Sequence, residues 1–508
     1  MSSLRVRTIL IFNTLLTLAA SFVFNIAVTR KLPLFDLGLL NLFTGAISLG
    51  SIPISIPSFM APRLSARYKE SNISLLLVSM LFGIVGSIAS GVFLFIIRTE
   101  ITTTYYYVIL TLAVLSIMLS SMNSVFTGGL TVFNRPRMLY VSIITAIVKM
   151  GAIVFILYSN WSLFSVLISS FVITLSGTIY AGISLTPYVN GFGYLRRTVR
   201  EVLSGSWVPL IGYATSNISS LDTFIIAAIG GVIDNAIWEV MSMIASLYSF
   251  ASTFMSITYG ELLQNVSHEK KVYMDFLVVL LFASSISLFV VYFEPYVITF
   301  LRPTNVSLIG ELAIPIIIWA TANIINTSSQ YISNIMQGID RVDMSAKITP
   351  KVYWKSMVFY AHLAEFITAV SYVALIYPMI ISVKDLGISF YVIDGVIIAQ
   401  LIATIISLTI RINRFPSARN YLMPKELIRD YAIPTVATGV ALYLIRIPVD
   451  LVLHPTVSAV GELAILFLIF LIVIAVYLGI GLLLSPRIRG ITRAVTRKYV
   501  SYIKRHRP

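Results

Sequence analysis

A lysine enclosed on both sides by apolar residues needs a chemical reason to be there. Lys149 stands in VSIITAIVKMGAIVFILY, and a charge at the centre of a bilayer costs about 2.5–3.5 kcal/mol on insertion scales, so an ionisable residue in such a run is a functional candidate. It can hold an anionic group; it can equally pair with a carboxylate or snorkel to an interface. Carboxylates occur in other apolar runs. Asp222, close to Asn217, Ser219 and Ser220, can pair with Lys149, bind a coupling proton or sodium ion, or hydrogen-bond a neighbouring helix. Glu365, near His362, and Asp394 are further candidates for ion coupling, each nearer the end of its run. Arg30 and Lys31 form a basic pair beside Asp36 at the mouth of the first run, suited to an anionic substrate or to a plain interfacial role. Asn13, Asn25, Asn41, Asn323, Asn326 and Gln330 place amides inside other runs. An amide both donates and accepts, as contact with sugar hydroxyls requires, and the same property glues helices together in lipid. There is no cysteine, the four histidines lack ligand spacing, and no GxxxxGK[ST] loop is present. No metal, cofactor or ATP-driven step is therefore expected.

The elements that carry these residues follow from composition. Of the 508 residues, 58% are hydrophobic and only 11% charged, with a mean hydropathy of +0.92, which excludes a water-soluble fold. The apolar residues come in unbroken blocks, and about 20 such residues cross a hydrocarbon core as a helix. A barrel would show alternation instead. Spans are predicted at 8–28, 37–60, 73–96, 105–127, 138–157, 161–185, 207–229, 237–258, 273–293, 310–333, 355–377, 387–411, 431–447 and 456–484. The first run is longer than the 7–15 residues of a signal peptide and is read as a retained helix.

Charge placement sets the orientation. Of the 36 Lys and Arg residues, Arg30, Lys31, Arg98, Arg302, Lys384 and Arg446 fall on one side, Lys149 lies within a span, and all the others fall on the opposite side. Cytoplasmic loops carry the excess, so both termini are predicted cytoplasmic, in a multi-pass protein of the cell membrane. The net charge of +15 is thereby spent on the membrane rather than on nucleic acid. The tail from Ser485 mixes basic residues with Ile488, Ile491, Val495, Tyr499 and Ile503, as a helix lying on anionic lipid would; a positive-inside stop signal reads the same way. Outside loops are too short for a catalytic module, which argues against a glycan polymerase or glycosyltransferase.

Two segments about 200 residues apart look alike, LPLFDLGLLNLFTGAIS and GGVIDNAIWEVMSMIAS, aligning Asp36 with Asn235 and Asn41 with Val240. LTVFNRPRMLYVS and MQGIDRVDMSAKI recur at nearly the same offset. Two related six-helix halves followed by a helix pair explain both, and such repeats commonly place a substrate site between them. The predicted divisions are 1–190, 191–412, 413–484 and the basic tail 485–508.

TRKLPLFDLGLLNL (Thr29 to Leu42), APRLSARYKE (Ala61 to Glu70) and GSWVPLIGYATSNISSLDTFIIAAIGG (Gly205 to Gly231) resemble the polysaccharide-transporter branch of the multidrug/oligosaccharidyl-lipid/polysaccharide (MOP) exporter superfamily, similar to O-antigen (Wzx-type) flippases. The likeness covers the whole chain in helix number and loop placement. Ile237 departs from it, standing where such proteins usually have glycine, and Asn235 replaces an acidic residue. The resemblance implies an all-α polytopic membrane protein of about fourteen transmembrane helices, with two pseudo-symmetric six-helix lobes and a C-terminal helix pair, a MATE-like or MOP fold. It implies a flippase, not an enzyme, moving a polyprenyl- or dolichyl-(di)phosphate-linked oligosaccharide by alternating access. A cationic cavity is typical of such proteins, with Arg30, Lys31, Asn25, Asn41, Lys149 and Asp222 as its candidates here. Lys149 would offset the cost of carrying a phosphate bridge through the bilayer. The main alternative is a cation-coupled multidrug (MATE-like) exporter, although these resemble twelve-helix chains.

Overall fold

The computed structural model describes residues 3–68, 71–101, 103–190, 195–204, 215, 217–248, 255, 262, 269–303, 311–340, 354–386, 390–416, 422–452 and 459–490. The predicted 207–229 and 237–258 spans, and the tail beyond residue 490, lie partly or wholly outside these residues. The described chain is all-helical apart from a two-residue parallel bridge, Ser71–Asn72 with Val189–Asn190. Its long helices are α1 (Ser3–Lys31), α2 (Leu34–Tyr68), α3 (Ile73–Ile96), α4 (Thr103–Phe133), α5 (Arg135–Tyr158) and α6 (Ser162–Leu185). After the short amphipathic α7 (Leu195–Ser204) comes α8 (Leu221–Ala245). Then follow α9 (Glu269–Tyr292), the eight-residue α10 (Glu294–Leu301), α11 (Ala313–Ile339), α12 (Met357–Lys384) and α13 (Tyr391–Arg414). A π-helical turn at Ile428–Ala432 leads into α14 (Ile433–Val452), and α15 (Ala459–Leu484) closes the set.

Among the described residues, ten helices are long and apolar enough to cross a membrane. Their outer faces carry the apolar side chains that lipid requires. On α3, Leu81, Ile84, Val85, Ile88, Val92, Phe95 and Ile96 are all exposed at helical spacing, a stripe that water would penalise and acyl chains accept. The chain is a multi-pass membrane protein.

One of the ten is not a single span. Gly231 interrupts α8 with φ 80° and ψ −179°, a conformation open to glycine because it lacks a Cβ. In a straight helix Asp222 and Trp238 would stand about 24 Å apart at a rise of about 1.5 Å per residue, yet the indole Nε1 donates to Asp222 Oδ2 at 3.1 Å. The chain therefore reverses at Gly231, and α8 is a helical hairpin with arms 221–230 and 232–245.

By contact the chain forms two compact units, Met1–Met243 with Val373–Lys384, and Ile244–Tyr372 with Asp385–Pro508. In the first, α2 packs on α3 and α4, α1 on α5, and α6 on α4 and α5. The apolar face of α7 joins this unit through Val202, which is buried against Ile56, Met60, Leu64, Leu75, Val78 and Val125. In the second, α9 packs on α11 and α15, α11 on α13, and α14 on α15. Val272, Phe276 and Leu280 meet Tyr331, Ile335 and Phe415 in its core, where the Tyr331 hydroxyl donates to the Val272 carbonyl at 2.7 Å. The start of the basic tail is held there as well. Asp430 is fully buried and accepts from the Ser485 hydroxyl at 2.9 Å, with Arg487 Nε 3.5 Å away, while Ile488 packs against Leu281 and Tyr477.

Candidate functional site

Within the first unit, α2 and the α8 hairpin line an open cavity of about 220 Å³. Its α2 wall is Asn41, Thr44, Gly45 and Ser48, at the i, i+3, i+4, i+7 spacing that puts four residues on one helical face. Ser219 and Ser220 in the turn before the hairpin, Asp222 and Thr223 at the start of its first arm, and Trp238 and Ser242, one turn apart on its second, complete the lining.

Hydrogen bonds hold the walls in place. Asn41 Nδ2 donates to Asn235 Oδ1 at 2.9 Å, and Asn235 Nδ2 donates to the Gly38 carbonyl at 3.0 Å. Asn235 is fully buried, so both ends of its amide are spent on α2. The approach depends on Gly38, since a Cβ there would lie 2.0 Å from the Val232 carbonyl oxygen. Asp222, itself buried, accepts from the Thr223 backbone N–H at 2.6 Å and hydroxyl at 3.2 Å as well as from the Trp238 indole. Among the described residues the cavity thus presents six hydroxyls, one amide, one carboxylate and one indole, and no Lys or Arg. Such a surface makes hydrogen bonds to a polyhydroxylated neutral group or offers oxygens to a small cation.

The candidates read from the sequence divide. Asn41 and Asp222 come together at this cavity. Lys149, Arg30, Lys31 and Asn25 lie on α1 and α5 instead. Lys149 Nζ donates to the Ser21 hydroxyl at 3.1 Å and sits 5.4 Å from the Phe24 ring centroid, so its partner is not Asp222. Lys31 Nζ reaches the Leu157 carbonyl at 3.3 Å, Asp36 accepts from the Ser162 hydroxyl, and the Asn25 carbonyl accepts from Thr29 at 2.6 Å.

Glu365 and Asp394 belong to the second unit. Glu365 Oε1 accepts from Ser333 Oγ at 3.0 Å and from Arg411 Nη2 at 3.2 Å, and His362 Nδ1 stands 3.5 Å from its other oxygen. Arg411 also donates to Ser329, whose hydroxyl meets that of Ser407 at 3.1 Å. Asp394 is buried near the start of α13. Arg411, assigned by its position in the sequence to a cytoplasmic connector, is 2% exposed inside α13: its charge is neutralised by Glu365 rather than by water. Thr44, Ser48 and Ser242 were missed because isolated hydroxyls in apolar runs are common; the polar stripe at 41, 44 and 48 was the available signal. Trp238 carried none.

No protein-family model matches the sequence, and comparison with curated proteins finds no match. Solved structures do match. The structure described as lipid II flippase MurJ in an inward closed conformation aligns over 94% of this chain and 99% of that one, with TM-score 0.65 and 12% identity. The structure of the MATE multidrug transporter DinF-BH aligns over 82% of this chain and 96% of that one, with TM-score 0.54 and 14% identity. At such identities the likeness is one of fold: the chain has the all-helical, multi-pass fold shared by MurJ and the MATE transporters, the fold that its resemblance to MOP exporters led one to expect.

Proposed function

We propose that this chain is a flippase that moves a polyprenyl- or dolichyl-(di)phosphate-linked oligosaccharide across the cell membrane by alternating access. The observation that carries the reading is the near full-length fold match, 94% of this chain on 99% of a lipid II flippase, where the drug-transporter match reaches 82% of this chain. The polar cavity adds support. It is lined mainly by hydroxyls rather than by the apolar and aromatic groups that dominate pockets for drug-sized ligands. Lys149 and Arg30 remain the proposed contacts for the phosphate bridge, and Asp222, Glu365 and Asp394 the proposed sites of ion coupling.

Reconstitution into liposomes with a fluorescent lipid-linked oligosaccharide tests the reading. Leaflet exchange by the wild type, lost in Lys149→Ala and Arg30→Ala while both variants still insert, is the expected result. Dye efflux driven by a cation gradient, with no lipid exchange, would replace it with the multidrug-exporter alternative.

A further inference from the structure

We propose that the cavity between α2 and the α8 hairpin reads the sugar end of the substrate, taking one uncharged saccharide residue and excluding the phosphate bridge. The inference rests on the flippase reading and assigns a chemical class to one part of it. At about 220 Å³, and open to its surroundings, the pocket has room to seat a single sugar ring. Its six hydroxyls sit on two facing walls; those of Thr44 and Thr223 donate to the Asn41 carbonyl and to Asp222 and are left to accept, while a serine hydroxyl such as Ser48 or Ser242 has the donor and acceptor capacity that a sugar hydroxyl matches. The indole of Trp238, 6% exposed, is pinned in the wall by its bond to Asp222 and fixes that carboxylate in place.

Charge argues against the other end of the substrate. Among the described residues no basic side chain lines the cavity, and the carboxylate of Asp222 does. A phosphate placed beside that carboxylate would meet like charge with no described cation to offset it. The side chains suited to an anion, Lys149 and Arg30, stand on α1 and α5 and are absent from this lining. Phosphate and sugar recognition are thereby carried by different helices of the first unit.

Binding of two probes to the full-length protein in nanodiscs tests the assignment: farnesyl diphosphate, and farnesyl diphosphate carrying one sugar drawn from glucose, galactose and N-acetylglucosamine. The wild type should bind at least one glycosylated probe more tightly than the bare one. Ser48→Ala, Ser242→Ala and the isosteric Thr44→Val should each weaken that binding by up to about tenfold, the worth of one hydrogen bond, and leave the bare diphosphate unchanged. Thermal unfolding identifies any variant that is misfolded, and the three are read independently. Equal binding of bare and glycosylated probes by the wild type, or equal loss of both in the variants, overturns the sugar assignment and leaves the flippase reading standing. A response limited to sodium dependence assigns the cavity to a cation and overturns it too. Failure of the wild type to bind either probe overturns both.

Discussion

Asn41 and Asn235, both buried, spend their amides on each other and on the Gly38 carbonyl. A buried polar group left without its partner costs about 1–3 kcal/mol. Asn41→Ala and Asn235→Ala should each lower stability by that order, and the double variant by less than the sum, because the two residues share one interaction. Thermal unfolding in detergent of the four proteins measures the cycle; strict additivity would contradict the pairing. Gly38→Ala should be more damaging than either, since the added methyl meets backbone that cannot turn aside, and the same unfolding series ranks it. Asn41 was legible as a candidate because an amide in an apolar run is conspicuous. Its partner was not: the repeat aligned it with Val240, and only the backward turn of α8 brings Asn235 to it.

At the scale of elements, α12 is lightly embedded: 28% of its most apolar stretch is buried, against 61% for α9. Polar ties do more of the holding. Asp340 accepts from the Met357 N–H at 2.6 Å, and Glu365 binds Ser333 of α11 and Arg411 of α13. The two partners of the ion pair are unequal, Arg411 2% exposed and Glu365 31%. Removing the carboxylate strands a buried guanidinium, at a cost of about 3–5 kcal/mol, whereas removing Arg411 leaves a carboxylate with partial access to its surroundings. Glu365→Ala should therefore unfold at lower temperature than Arg411→Met, and the double variant Glu365→Met with Arg411→Met should recover much of the loss. Denaturation midpoints of the three decide it, and a reversed order would refute the account.

For the whole molecule, charge asymmetry predicts which side each loop occupies. The chain has no cysteine, so introduced thiols report topology without background. Asp385→Cys should react with a membrane-impermeant maleimide in intact cells, and Lys425→Cys only after permeabilisation; the opposite pattern would invert the orientation. Where helices fall was readable from the residues themselves, because a backbone in lipid must satisfy its own hydrogen bonds and an unbroken apolar run has no other way to do so. The expected span 73–96 coincides with Ile73–Ile96, and 387–411 lies within a few residues of Tyr391–Arg414. The buried α10 escaped that reading, since eight residues are too few to carry a periodic signal. What composition could not supply was which helix faces meet. The meeting of Asp222 with Trp238, the burial of Arg411 and the separation of Lys149 from the polar cavity all depend on how helix faces pack, whereas a reversal near Gly231 was already implied by the separate spans 207–229 and 237–258. Hydropathy records each residue's preference for lipid or water; the choice of partner is made only when the helices pack.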